Sequence, residues 1–299
     1  MRTLVIGTLL LVMATAAGAQ DFSRIDFRHQ ELAPNVHWLR GAGGNVLACT
    51  GPEGVLLVDA DYEEMSEKLV QAVADLEAGP VRLVINTHWH FDHVGGNARL
   101  AADGAVIMAH EASREFMTAD RHLEVIDADV PASSTAAWPA IVITEPLIIH
   151  WGNEEIAVIP APGHTGGDLI VHFRTNNILH AGDLFFNCGY PYIDTAHGGS
   201  IDGFIEAGRF VLEQGDDETL IVPGHGPVVQ QEEARPCFAM IADYRDLVSA
   251  EKARGGTLAE AIESKPAAAI DAEWGDEMFP PEAFIEMIWT SLPDDLSGP

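Results

Sequence analysis

The run Thr87-His88-Trp89-His90-Phe91-Asp92-His93-Val94-Gly95-Gly96 sets the tightest limit on what this chain can become. It follows an apolar stretch at residues 81–86 that reads as a strand ended by Asn86. His88 and His90 stand two apart at that strand end, so their imidazoles can point to one side. Asp92 and His93 follow in a turn that can fold back under them. A single histidine in apolar surroundings is usually a hydrogen-bonded structural residue, and His37, His150, His172 and His180 are read that way. Ligand-type side chains packed this closely are not a core pattern.

Other β-type runs fall at residues 36–39, 45–49, 54–59, 147–150, 156–159, 168–173, 177–180 and 219–222. Apolar residues at helical intervals (Met65, Leu69, Val73, Leu76) predict a helix over 63–77, stopped by Gly79-Pro80, and further helices are expected at 97–103, 111–118 and 201–213. Strands interleaved with helices make this an α/β layer protein. Residues 119–146, with three prolines, read as a long irregular connection. Past Pro227 the chain turns helical over 234–254, and its end, with Pro280-Pro281, Pro293 and Pro299, is expected to be loosely structured.

Three more signals follow second-half strands: His164 in Pro162-Gly163-His164-Thr165-Gly166-Gly167, Asp183 in Ala181-Gly182-Asp183-Leu184, and His225 in Pro223-Gly224-His225-Gly226. The small neighbours let backbone and metal approach closely. Over roughly residues 30–230 the sequence resembles the metallo-β-lactamase-fold hydrolases, whose pattern is HxHxDH followed by isolated His, Asp and His in this order. The resemblance implies a four-layer αββα sandwich. It implies that His88, His90 and His164 hold one metal, that Asp92, His93 and His225 hold a second, and that Asp183 bridges them. The cofactor expected is two Zn ions per chain, a choice that imidazole and carboxylate donors independently suit. Asp59 matches the acidic residue that steadies the HxHxDH loop in this family. One subclass of β-lactamases carries Cys where Asp183 aligns, followed by a basic residue; here Leu184-Phe185-Phe186 follows. Cys188 is read as a loop or core cysteine.

The chemistry expected is attack of a metal-bridging hydroxide on a carbonyl, with Asp92 orienting the nucleophile and shuttling its proton. Trp89, Phe91, Tyr190 and His197 are the expected substrate contacts. The first expectation is an exported dizinc hydrolase that opens cyclic amides, β-lactams above all. A lactonase or thioesterase of the same fold is the alternative, and an iron-dependent redox protein is the alternative from another class.

With 46 Asp+Glu against 16 Lys+Arg the net charge is −30, which disfavours nucleic acid and leaves a small-molecule substrate as the expected partner. Arg2, the apolar run 4–14 and Ala17-Gly18-Ala19 have the shape of a signal peptide over residues 1–19, shorter than the ~20 apolar residues of a membrane span. A periplasmic or secreted protein with no stable membrane anchor is then expected, with a catalytic domain over 20–235 and a helical extension over 236–299 packed on it. Cleavage removes one basic residue, moving the charge from −30 to −31. Cys49, Cys188 and Cys237 can form at most one internal disulfide, and the sequence does not choose the pair.

Overall fold

The computed structural model describes residues 21–294 except 124, 126 and 276–278, so the signal-peptide expectation lies outside the described residues. Runs such as Gly54–Val58, buried at every position, have no polar face to give to water and must be covered on both sides. The fold supplies that cover with two sheets stacked face to face and helices on each outer face.

In the first sheet, β1 (Arg28–Ala33), β2 (Val36–Arg40), β3 (Val46–Gly51) and β4 (Gly54–Val58) run antiparallel, and β5 (Val81–Ile85) and β6 (Val106–His110) continue in parallel. A separate hairpin of β7 (Arg121–Leu123) and β8 (Ala128–Val130) follows, and β9 (Ile141–Ile143) then pairs parallel with β6 at the sheet edge. The second sheet orders β10 (Leu147–Trp151), β11 (Glu154–Pro160), β12 (Leu169–Phe173), β13 (Ile178–Gly182), β14 (Leu220–Pro223) and β15 (Val229–Gln230), with only the β13–β14 pair parallel. Leu47, Leu56, Ile85 and Met108 of the first sheet interdigitate with Val158, Val171 and Phe173 of the second. On the outer face of the first sheet lie α1 (Ser66–Ala74), α2 (Phe91–Val94), α3 (Asn97–Ala102) and α4 (Glu111–Met117), with Leu69, Val73 and Leu100 buried against Leu57 and Val84. On the outer face of the second lie α5 (Ile201–Glu213), α6 (Gln231–Ala253), α7 (Leu258–Ser264), α8 (Ala268–Trp274) and α9 (Pro281–Ser291). The layers are therefore α, β, β, α, as the resemblance implies.

Two expectations need correction. Residues 119–146 are not structureless: they hold β7, β8, a helical turn at Thr135–Ala137 and β9. Strands of three residues between prolines are too short to show a period. The chain end up to residue 294 is not loose either. Pro281 takes the first position of α9, where the missing N–H costs nothing, so prolines that read as breakers instead start a helix. Phe284, Ile285, Met287 and Ile288 of α9 are buried against α5 and α6, and Lys252 Nζ donates to Trp289 O (2.9 Å) and Leu292 O (2.8 Å) at its far end. The helix α6 continues through Pro236. Cys188 and Cys237 form a disulfide that ties the loop after β13 to α6, and Cys49 is free and buried. No helix among the described residues is long and apolar enough to cross a membrane.

The parallel pairs β4–β5 and β13–β14 end at the same edge of the sandwich, which makes that edge the natural place for a site. Asn45 clamps it. Its backbone N–H donates to Gly224 O (2.7 Å), its amide donates to Pro223 O (2.8 Å) and Gly226 O (2.9 Å), and its carbonyl accepts from His180 Nε2 (3.0 Å).

Candidate metal centre

Every residue singled out as a ligand follows a strand end. His88, His90, Asp92 and His93 follow β5, His164 follows β11, Asp183 follows β13 and His225 follows β14. The structure brings them into two adjoining groups, His88, His90, His164 and Asp183, and Asp92, His93 and His225. In the first, His90 Nδ1 is 3.0 Å from His88 Nε2 and 2.9 Å from His164 Nε2. In the second, Asp92 Oδ2 is 3.1 Å from His225 Nε2, which is 3.4 Å from His93 Nε2. Asp183 stands between the groups. Its Oδ2 is 3.9 Å from His88 Nε2 and 3.6 Å from His164 Nε2, while its Oδ1 is 3.1 Å from His93 Nε2 and 3.6 Å from His225 Nε2.

The hydrogen bonds at the back of the rings say what the front can do. His164 Nδ1 donates to Tyr192 O (2.7 Å), His90 Nε2 to Asp194 Oδ2 (3.0 Å) and His93 Nδ1 to Asp59 Oδ2 (2.8 Å). Each of these rings therefore turns its other nitrogen, with a lone pair, toward the centre. Lone pairs 2.9–3.0 Å apart repel unless a cation lies between them. Tetrahedral coordination at about 2.0–2.1 Å sets ligand nitrogens roughly 3.3 Å apart, close to what is seen. Asp183 Oδ1 is buried without a hydrogen-bond partner among the described residues, as an oxygen meant for a cation would be. The donor set fits metal ions.

The electrostatics agree. Burial pushes His88 well below the ordinary imidazole value and His164 down to about 4, leaving both neutral. Burial opposes charge on Asp92 and Asp183 too, but His93 and His225 outweigh it, holding Asp92 at about 2 and Asp183 well below the carboxylate range. His93 and His225 rise in return, against burial, because Asp183 and Asp92 face them. The buried carboxylates thus draw positive charge to this point, which a bound cation supplies.

A family model described as "Metallo-beta-lactamase superfamily" matches residues 39–225. The chain belongs to the metallo-beta-lactamase superfamily. Among its relatives, a hydroxyacylglutathione hydrolase of Polaromonas sp. (strain JS666 / ATCC BAA-500) is 28% identical over 184 residues, 60% of this chain and 60% of that protein. The match thus spans only about three fifths of that relative. Acyl-coenzyme A thioesterase MBLAC2 of Homo sapiens is 22% identical over 232 residues, 67% of this chain and 81% of that protein. A metallo-beta-lactamase from Pontibacter korlensis superposes with a TM-score of 0.60 at 18% identity, covering 73% of this chain and all of that one. The sec-alkylsulfatase Pisa1 from Pseudomonas sp. reaches 0.65 at 17% identity, over 91% of this chain and 51% of that one. These two likenesses are of fold.

In this superfamily member Asp59 leaves β4 in the left-handed region (φ +64°), a conformation Asp tolerates better than most residues. That turn aims its carboxylate at Thr87 N (2.7 Å), Thr87 Oγ1 (2.7 Å) and His93 Nδ1. Asp59→Asn breaks the acceptor set that fixes the His93 tautomer. It is expected to weaken metal binding about 10–100-fold, read by competition with a chelator; unchanged affinity removes Asp59 from this role. Gly44 and Gly224 are required by close approach. A Cβ on Gly44 would lie 2.3 Å from the His93 ring, and one on Gly224 would overlap Asp183 Oδ1.

Of the expected substrate contacts, Tyr190 is corrected. It is 0% exposed, stacked on Phe284 (4.7 Å), with its hydroxyl donating to Asp271 Oδ1 (2.7 Å), because α9 covers it. His197 is buried, and its Nδ1 lies 2.8 Å from Asp194 Oδ1, so it steadies the carboxylate behind His90 and does not line an open cleft. Trp89 and Phe91 flank the candidate ligands in sequence and line a recess. Tyr192 stacks on His90 (5.7 Å) and Phe186 on His225 (6.1 Å), as an aromatic wall beside the metals, formed by the segment 185–194 that follows Asp183, requires; the carboxylate of Asp194 behind His90 is not legible in the sequence. The only local signal was Asp194 standing three residues before His197.

Proposed function

We propose that the two groups hold two zinc ions and that this hydrolase cleaves an acyl bond, a lactone or ester, in a small uncharged substrate. The observation that carries the reading is Asp183, with one oxygen turned to each group of imidazoles. Bound there, such cations supply Lewis acidity toward a carbonyl and bring the pKa of water down to about 7. Asp92, ionised and 15% exposed where the other ligands are closed off, can take a proton from water and pass it to the leaving group. Phe186 and Tyr192 stack against the ligands and shed water from them. Among the described residues no Lys or Arg pairs with, stacks on or hydrogen-bonds to the seven ligands, which favours a substrate without an anionic handle. The thioester relatives make thioesters admissible. Residues 236–299, with 13 acidic and 4 basic residues, disfavour anionic carriers.

A second reading, opening of β-lactams outside the cytoplasm, draws support from the Cys188–Cys237 disulfide, which fits the oxidising compartment that export after Ala19 would reach. Elemental analysis of protein purified without added metal, with a panel of lactone, aryl ester, thioester, penicillin, cephalosporin and carbapenem substrates, tests both. Zinc with lactone or ester turnover is expected. Turnover confined to β-lactams installs the second reading, and stoichiometric iron without hydrolysis overturns both in favour of redox chemistry.

A further inference from the structure

Beside the ligands the structure holds a cavity of about 410 Å³, within the range of small-molecule sites at about 300–1,000 Å³. Its wall is aromatic, with Phe22, Tyr62, Trp89, Phe91 and Phe116, and it shares one peptide segment with the metal centre, since Trp89 and Phe91 alternate with His88, His90 and Asp92. The Trp89 ring lies 4.9 Å from His90 and 4.8 Å from His197, and Phe91 meets Tyr62 at 5.8 Å.

Trp89 is the informative member. It is 2% exposed, and its indole N–H is buried without a hydrogen-bond partner among the described residues. Buried indole N–H groups ordinarily find an acceptor, so a donor left over in a cavity wall points to an acceptor that arrives with a ligand. The charge of the wall restricts the ligand further. Glu63 and Glu64 line it, and among the described residues no Lys or Arg does, so an anionic group is repelled.

We propose that this cavity binds the apolar acyl chain of the substrate, an uncharged chain that carries one oxygen acceptor for Trp89 Nε1–H. The proposal rests on the hydrolase reading for its substrate, but the pocket can be tested without turnover. The probe is hexanamide, neutral with one carbonyl acceptor and an unstrained amide far less reactive than an ester, titrated into the full zinc-loaded chain by calorimetry and tryptophan fluorescence. Hexanamide is expected to bind and hexanoate not to. Trp89→Phe is expected to weaken hexanamide up to about tenfold while leaving toluene, which needs no acceptor, unchanged. Ala98→Phe, which fills the cavity, is expected to abolish binding of both.

The kinetic arm is a series of p-nitrophenyl esters from acetate to hexanoate. Here kcat/KM is expected to rise about fourfold per methylene, and Ala98→Phe to flatten the rise. Hydrolysis with no chain-length dependence and no hexanamide binding overturns the pocket and leaves the hydrolase reading standing. Hexanamide binding lost in Ala98→Phe, with no ester hydrolysed, upholds the pocket and overturns the hydrolase reading. Equal loss of hexanamide and toluene in Trp89→Phe removes the hydrogen bond from the proposal.

Discussion

Asp183→Asn is expected to lower kcat at least about 10³-fold, the scale of removing a central electrostatic group from a closed active site, with a melting temperature close to that of the parent. The substitution keeps the shape of the side chain and removes the charge. An amide offers one carbonyl oxygen where the carboxylate offers two, so only one group of imidazoles keeps an oxygen acceptor facing it. Metal content should fall with activity, since two cations close together need an anion between them. The measurement is kcat on the best ester or lactone, with metal analysis and a thermal melt of the same sample. Parent-level turnover in the variant would falsify the bridging role.

Phe284→Ala is expected to cost about 3–5 kcal/mol of stability. Phe284 is fully buried, stacks on Tyr190 at 4.7 Å and meets Tyr244 edge-on at 4.8 Å, so truncation leaves a cavity between two aromatic rings held to Asp271 by their hydroxyls. The damage should also reach the site. Ile193 N–H donates to Met287 Sδ (3.3 Å) and Ile201 N–H to Ser291 Oγ (3.2 Å), so α9 backs the loop that carries Tyr192 and Asp194. Urea unfolding reads the first effect and metal affinity the second. A loss below about 1 kcal/mol, the scale of a surface substitution, would show that α9 is an appendage.

The alternation of His88, Trp89 and His90 and the glycines around His164 and His225 are legible in the chain because ligand type and strand register are local properties. Asp59 is legible only through the family resemblance, since by itself an Asp at a strand end reads as an ordinary turn former. Tyr190 misleads. It sits in a loop with Gly189, Pro191, Gly198 and Gly199, and an aromatic residue there looks the same whether a cleft or a helix faces it. The helix that covers it begins only at Pro281, far beyond the reach of any local pattern.

The layer class, the seven ligand-type residues and their placement after strand ends can all be read from the chain alone, since period, turn chemistry and donor type are written within a few residues of each position. Three further relations exist only once the chain has folded: Asp183 faces both groups, Asp194 stands behind His90, and Trp89 keeps an unpaired N–H in a cavity wall. The first two join residues distant in sequence, 104 positions apart for His90 and Asp194. All three are a matter of close-packing between remote segments that no short stretch of sequence encodes: the two sheets meet across a shared apolar layer, and Trp89 packs with Met117, Leu123 and Ala137.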